Sequence, residues 1–220
     1  MTAGRRPAAV LFDLDGTLLD TAPDFVLALN ALRAEEALPP LALEHIRAHV
    51  SHGSPAMIQA AFGADSDHAR CERRRLRLLA LYASMLAQAT HLFPGMSEVL
   101  DALERRHLPW GIVTNKPGWL TTPLLAALAL DSRAGCVISG DTTARAKPFP
   151  DPLLAAAAAL GLPPAACLYV GDAERDITAA RAAGMPAVVA LYGYLGDGDL
   201  PHAWGSDGGI EQPLDLLTWI

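Results

Sequence analysis

Two aspartates, Asp13 and Asp15, follow directly on an apolar run in the stretch AAVLFDLDGTLL at 8–19. Set side by side at a strand end they repel each other and lose hydration, so a cation and nearby donors must compensate them. Mg²⁺ suits that position, because it takes a few carboxylate and carbonyl oxygens and keeps waters and phosphate oxygens in its shell. Gly16 lets the loop wrap closely around a ligand. Taken alone, the pair also fits an ordinary turn, since Asp and Gly are common where strands end. Three later segments carry complementary groups: Thr114-Asn115-Lys116, Lys147-Pro148, and Gly171-Asp172 with Asp176. A carboxylate can attack phosphorus, a hydroxyl and an ammonium can hold phosphoryl oxygens, and a further carboxylate can complete a Mg²⁺ site. Singly, Thr114 could end a strand, Lys147 could be a surface lysine, and Asp172 and Asp176 could cap a helix. All four segments in this order make a much narrower pattern.

These groups need elements to position them. The apolar run 8–12 reads as a strand buried on both faces. From 21 to 91 the pattern turns helical: Pro23-Asp24 starts a helix with Phe25, Leu29 and Leu32 on one face, and Pro39-Pro40 stops it. Further helices are expected at 43–50, from Ser54-Pro55, and along a face marked by Leu76, Leu79, Tyr82 and Leu86. After Phe93-Pro94-Gly95, helices at 96–106, 118–130, 152–160 and 175–183 alternate with strands at 109–113, 136–139 and 167–170, and 187–191 reads as the last strand. That alternation predicts an α/β fold with a parallel sheet, whose ligands bind beyond the carboxyl ends of the strands. Asp13, Thr114 and Asp172 fall at such ends, and Lys147 lies on a loop expected on the same side. The tail from 192 to 207 reads as an ordered loop over one edge.

With 220 residues, 51% hydrophobic and 19% charged, the chain has a globular composition, and its net charge of -7 argues against a nucleic-acid partner. Cys71, Cys136 and Cys167 lack metal-ligand spacing or a disulfide framework, which fits a reducing cytoplasm. Arg5-Arg6 could begin a secretion signal, but Asp13 and Asp15 interrupt the apolar segment too early. No stretch reaches the roughly 20 apolar residues of a membrane span. His45, His49 and His52 read as a polar helix face rather than a metal site, and Arg73–Arg75 with Arg77 as a solvated one. The polar loop Ser51-His52-Gly53-Ser54 could face a substrate.

DLDGT, Val113-Thr114-Asn115, Lys147-Pro148 and GDxxxD at 171–176 resemble the four motifs of the haloacid dehalogenase superfamily, and the insertion between the first two resembles the helical cap of its phosphoglycolate phosphatase-like branch. The resemblance implies a Rossmann-like core at 1–19 and 91–220 and a helical cap, acting as a mobile lid, at 20–90. It implies a phosphomonoester hydrolase with Asp13 as the nucleophile of an aspartyl-phosphate intermediate and Asp15 as general acid and base. Thr114 and Lys147 would bind the phosphoryl group. Mg²⁺ would be held by Asp13, the Asp15 main-chain carbonyl and Asp172, with Asp176 acting behind them. Asn115, Lys116 and His52 are weaker candidates for positioning or substrate contact. The tail YGYLGDGDLPHAWGSD, with Thr114-Asn115-Lys116-Pro117 and GDAERD, is similar to the N-acetylmuramic acid 6-phosphate phosphatases of cell-wall recycling, although Ser206 stands where that group has Ala. The expected partner is therefore a small phosphorylated metabolite, with phosphoglycolate as the alternative, and the protein a monomer or homodimer without membrane contact. A phosphomutase could use the same motifs. A receiver-type signalling domain also joins Asp, Thr and Lys on a parallel sheet, but lacks the insertion and the Asp172–Asp176 pair, and a non-catalytic phospho-ligand module would not retain every catalytic position.

Overall fold

The computed structural model describes residues 6–220; Arg5 of the Arg5-Arg6 pair and the start of the span 1–19 lie outside the described residues. Along the chain run β1 (Ala9–Phe12), β2 (Leu19–Asp20), α1 (Ala22–Glu35), α2 (Glu44–Val50), α3 (Gly53–Phe62), α4 (His68–Ser84), β3 (His91–Leu92), α5 (Met96–Arg105), β4 (Trp110–Val113), α6 (Gly118–Ala127), β5 (Cys136–Ile138), α7 (Asp151–Ala159), β6 (Cys167–Gly171), α8 (Glu174–Ala182), β7 (Ala187–Ala190) and β8 (Gly208–Ile210).

Six strands form one parallel sheet in the order β5-β4-β1-β6-β7-β8. β1 is central because both of its faces can be buried: Val10 and Phe12 join the apolar cluster that includes Leu100, Leu124 and Ile210, while Ala9 and Leu11 join the one built on Leu153, Tyr169 and Ile177. Register places Val10 beside both Trp110 of β4 and Leu168 of β6. The carboxyl ends of β4, β1 and β6 are thereby neighbours. With strands about 4.8 Å apart, residues just beyond those ends share one small volume.

Helices α1 to α4 lie between β2 and β3. α1 packs on α4 and α2 on α3, and their buried residues Phe25, Ile46, Met57, Leu78 and Tyr82 belong to the same apolar cluster as Val10 and Phe12. Phe25 and Tyr82 stack with ring centroids 3.8 Å apart.

The structure corrects three expectations. β7 is not the last strand: β8 follows the tail, pairing Val188 with Gly208 and Ala190 with Ile210. The insertion is not purely helical at its base, where β2 and β3 form an antiparallel ribbon pairing Leu19 with Leu92 and Asp20 with His91. On α4 the buried face runs through Leu78 and Tyr82, one turn apart, whereas Leu76 is exposed and Leu86 lies beyond the helix. Among the described residues no helix is long and apolar enough to cross a membrane, and Cys71, Cys136 and Cys167 are free thiols.

Candidate active site

Asp13 leaves the end of β1 with its main-chain N–H still donating to Val170 O, so its side chain emerges where the sheet stops. Its Oδ1 accepts from Leu14 N at 2.7 Å and lies 2.9 Å from Lys147 Nζ, and no donor among the described residues reaches Oδ2. Lys147 Nζ is fully enclosed: besides Asp13 it meets Asp176 Oδ1 at 2.7 Å, Val113 O at 2.8 Å and Tyr169 Oη at 2.8 Å. The two carboxylates facing so buried a lysine compensate the cost of removing it from water.

Asp172, just past β6, is braced by three donors: Thr17 Oγ1 to Oδ1 at 2.9 Å, and Ser51 Oγ at 2.7 Å and Tyr194 N at 3.0 Å to Oδ2. Asp176 sits at the third position of α8, accepting from Ala173 N at 3.0 Å. One oxygen from each of Asp13, Asp172 and Asp176 lies within 4.8 Å of the other two. Burial and the neighbouring Asp176 charge raise the Asp13 carboxyl to about 7, against the opposing pull of Lys147. Burial, followed by Asp176, likewise raises Asp172. Buried carboxylates crowded to this degree could hold a cation, by charge and by donor chemistry. Gly16, at φ 88°, is required here, because a Cβ would sit 2.3 Å from Asp172 Oδ2.

Asp15 points elsewhere. Its Oδ1 accepts from Thr21 Oγ1 at 2.6 Å and from Lys116 Nζ at 2.9 Å. Lys116 also donates to Tyr82 Oη at 2.9 Å and lies over the Phe25 and Tyr82 rings. Burial works against its charge, yet the Asp15 carboxylate and the Tyr82 oxygen outweigh it and hold the ammonium above its ordinary value. The Asn115 side chain clamps the Lys147 backbone through Nδ2 to Lys147 O at 2.8 Å and Lys147 N to Oδ1 at 3.0 Å. Thr114 is buried at the end of β4, its Oγ1 accepting from Lys116 N at 3.1 Å.

A family model described as haloacid dehalogenase-like hydrolase matches residues 10–190. The chain belongs to the haloacid dehalogenase-like hydrolase family. It is 49% identical over 213 residues to a phosphoglycolate phosphatase of Xanthomonas campestris pv. campestris, with 96% of each chain covered. It is 41% identical over 212 residues to the N-acetylmuramic acid 6-phosphate phosphatase of Pseudomonas aeruginosa, covering 96% of this chain and 94% of the other. Among solved structures, that of a predicted phosphoglycolate phosphatase from Haemophilus somnus superposes with a TM-score of 0.84 at 26% identity, over 97% of this chain and 98% of that one. This haloacid dehalogenase-like hydrolase is a phosphoric monoester hydrolase.

A cavity of about 250 Å³ opens over Asp13 in this hydrolase, walled by Asp15, Thr114 and Asn115 from the sheet side and by Ser51, Ser54, Met57 and Arg75 from the helices. His52, a sequence candidate for substrate contact, is exposed and not part of that wall; its neighbour Ser51 is buried there instead. Arg75, grouped by sequence with a solvated face, reaches the cavity while paired to Glu72 at 2.6 Å. Four residues escaped sequence reading. Thr17, Tyr169 and Tyr194 act through contacts distant in the chain, and Arg175 lines the cavity from inside the recognised GDAERD segment.

The tail is tied to this site. Tyr194 Oη accepts from Thr21 N at 2.7 Å and Ala22 N at 2.9 Å and donates to Asp20 Oδ1 at 2.8 Å, while Tyr192 Oη donates to Thr17 O at 3.0 Å. Asp20 in turn pairs with Arg47 of α2 at 2.9 Å. The segment 192–194 thus joins Asp172, the β2 ribbon and the start of the helices.

Proposed function

We propose that this chain is a Mg²⁺-dependent phosphatase that works through an aspartyl-phosphate on Asp13, and that its favoured substrate is N-acetylmuramate 6-phosphate. The observation that carries the mechanism is the asymmetry of Asp13, which lines the cavity: Oδ1 is held by Leu14 N and Lys147, and Oδ2, with no donor among the described residues, is left as the attacking atom. Asp15, with Oδ1 fixed by Thr21 and Lys116, offers Oδ2 to protonate the leaving oxygen and afterwards to take a proton from water. Lys147 and Thr114 bind the transferring phosphoryl group, and Asn115 and Asp176 hold Lys147 in place. Mg²⁺ would be held by Asp13, Asp172 and the Asp15 carbonyl, where it would neutralise phosphoryl charge. The helical segment 20–90 acts as a cap, supplying Ser51, Ser54, Met57 and Arg75 to the cavity wall and excluding water when closed.

For the substrate, a second cavity of about 570 Å³ borders the first at Pro55 and Arg75, and its volume suits a sugar with its N-acetyl and lactyl ether arms. The 41% identity to the Pseudomonas enzyme and the YGY tail favour the same reading. Phosphoglycolate is the second reading, favoured by the 49% identity to the Xanthomonas protein and by the small first cavity. The free thiols and the acidic balance fit a cytoplasmic enzyme acting on a small metabolite, with no nucleic acid or membrane as partner. Phosphate release with Mg²⁺ from N-acetylmuramate 6-phosphate, phosphoglycolate, glucosamine 6-phosphate and hexose phosphates, with Asp13→Asn as blank, tests both. A kcat/KM preference for the muramic sugar supports the reading. Much faster turnover of phosphoglycolate overturns the substrate and leaves the mechanism standing.

A further inference from the structure

Four cationic side chains surround Asp13 and its cavity, and three of them have their donors engaged. Lys147 is surrounded by two carboxylates, a carbonyl and a phenol. Lys116 is taken by Asp15 and Tyr82, and Arg75 is held in a two-point pair by Glu72. Arg175 is the fourth. Placed at the second residue of α8, it lines the cavity with Asp13, Asp15 and Thr114, yet its Nε is buried without a hydrogen-bond partner and no ion pair to it occurs among the described residues.

Arg175 is half-buried, and its buried Nε, left without an acceptor, is costly unless something fills the space the guanidinium faces. Burial opposes its charge, and the fields of Asp176, Asp13 and Asp172 more than restore it, so the group stays cationic. Its planar fork matches the paired oxygens of a phosphoryl group better than an ammonium does. A free phosphoester dianion entering this cavity meets Lys147 already occupied by Asp13 and Asp176, and Arg175 with donors to spare.

We propose that Arg175 is a phosphoryl-binding catalytic residue, its guanidinium donating to a peripheral oxygen of the transferring group while Lys147 adds its positive charge from behind Asp13. The inference rests on Asp13 being the nucleophile. As the bond from Asp13 Oδ2 to phosphorus forms, the bond from phosphorus to the leaving oxygen breaks, and that oxygen takes its electron pair and a proton from Asp15. Arg175 keeps all its protons and follows the charge that gathers on the peripheral oxygens. Because those oxygens are common to every phosphomonoester, Arg175 serves turnover of all substrates alike, unlike the cap-borne Arg75.

The experiment compares wild type, Arg175→Gln, Arg175→Lys and Arg175→Ala on N-acetylmuramate 6-phosphate and phosphoglycolate over a series of Mg²⁺ concentrations, with inorganic phosphate as competitive inhibitor and melting curves to verify folding. The expected result is a fall in kcat/KM of about 10²–10³-fold in Arg175→Gln, by the same factor on both substrates. Inhibition by phosphate weakens about 10–100-fold, Arg175→Lys recovers part of the loss, and added guanidinium, but not urea, partly restores Arg175→Ala. Unchanged phosphate inhibition in folded Arg175→Gln overturns the inference, as does a loss of activity cured by more Mg²⁺, which would make Arg175 a counter-charge for the acidic cluster. Wild type with no turnover above the Asp13→Asn blank would instead overturn the phosphatase reading itself.

Discussion

Replacing Asp13 by Asn removes a charge while keeping the side chain's shape, and its effect on stability follows from where that charge sits. In the metal-free protein the Asp13 carboxyl titrates at about 7 against 3.8 in an unstructured chain, chiefly because burial and Asp176 disfavour its ionised form. A difference of roughly three units at about 1.4 kcal/mol each makes about 4 kcal/mol. The folded value is the higher one, so this group's contribution is fully present below pH about 4, where both states are protonated, and is lost as pH rises through about 7. Asn mimics the protonated form at every pH. Urea or thermal unfolding in EDTA should therefore find Asp13→Asn more stable than wild type by up to about 4 kcal/mol at pH 8, or about 8–16 °C for a chain of this size. At pH 4 the gap should shrink below about 1 kcal/mol. With Mg²⁺ present the order should narrow or reverse, because metal bound to the native wild type stabilises it by mass action. An Asn variant no more stable than wild type at pH 8 without metal, or a gap indifferent to pH, would refute the reasoning about the buried cluster.

Proton competition at the same carboxyl predicts that Mg²⁺ affinity, followed by calorimetry, weakens by up to about tenfold per pH unit below about pH 7 and levels off above it; a flat profile would remove Asp13 from the metal site. Asn115→Ala, which deletes both bonds to the Lys147 backbone, should cost about 1–3 kcal/mol of stability and lower kcat by one factor on all substrates, and an unaltered kcat would deny it a positioning role. Tyr194→Phe strands the buried N–H groups of Thr21 and Ala22 and releases Asp20, so the urea midpoint should fall by the equivalent of about 2–4 kcal/mol; a change within error would mean the tail is not a brace for the β2 ribbon.

Much of this site was legible in the chain because parallel strands announce themselves as short apolar runs and the chemistry sits where each run ends. Asp13, Thr114 and Asp172 follow β1, β4 and β6 directly, and the adjacency of those strands does the rest. β8 was missed because Gly208 and Gly209 have little intrinsic preference for extended backbone; pairing with Val188 and Val189 of β7 supplies what their side chains do not. The β2–β3 ribbon is two residues deep, too short for any periodicity to register. Contacts such as Tyr194 to Thr21, 173 positions apart, leave no local trace at all. Ser51 rather than His52 faces the cavity because Ser51 closes α2 on its buried side while His52 already begins the turn into α3, a difference of one residue that spacing alone does not resolve.

The most direct test of the account is chemical capture of the intermediate. Asp15→Asn should turn over about 10²–10⁴-fold more slowly, and with an aryl phosphate, whose leaving oxygen needs no proton, only the water-activating step is impaired, so phosphorylated enzyme accumulates. Acid-quenching that variant during reaction with Mg²⁺ and substrate, and reading the peptides by mass spectrometry, should find one phosphoryl group on Asp13. A phosphoryl group on another residue, or hydrolysis proceeding with Asp13 never modified, would contradict the central claim.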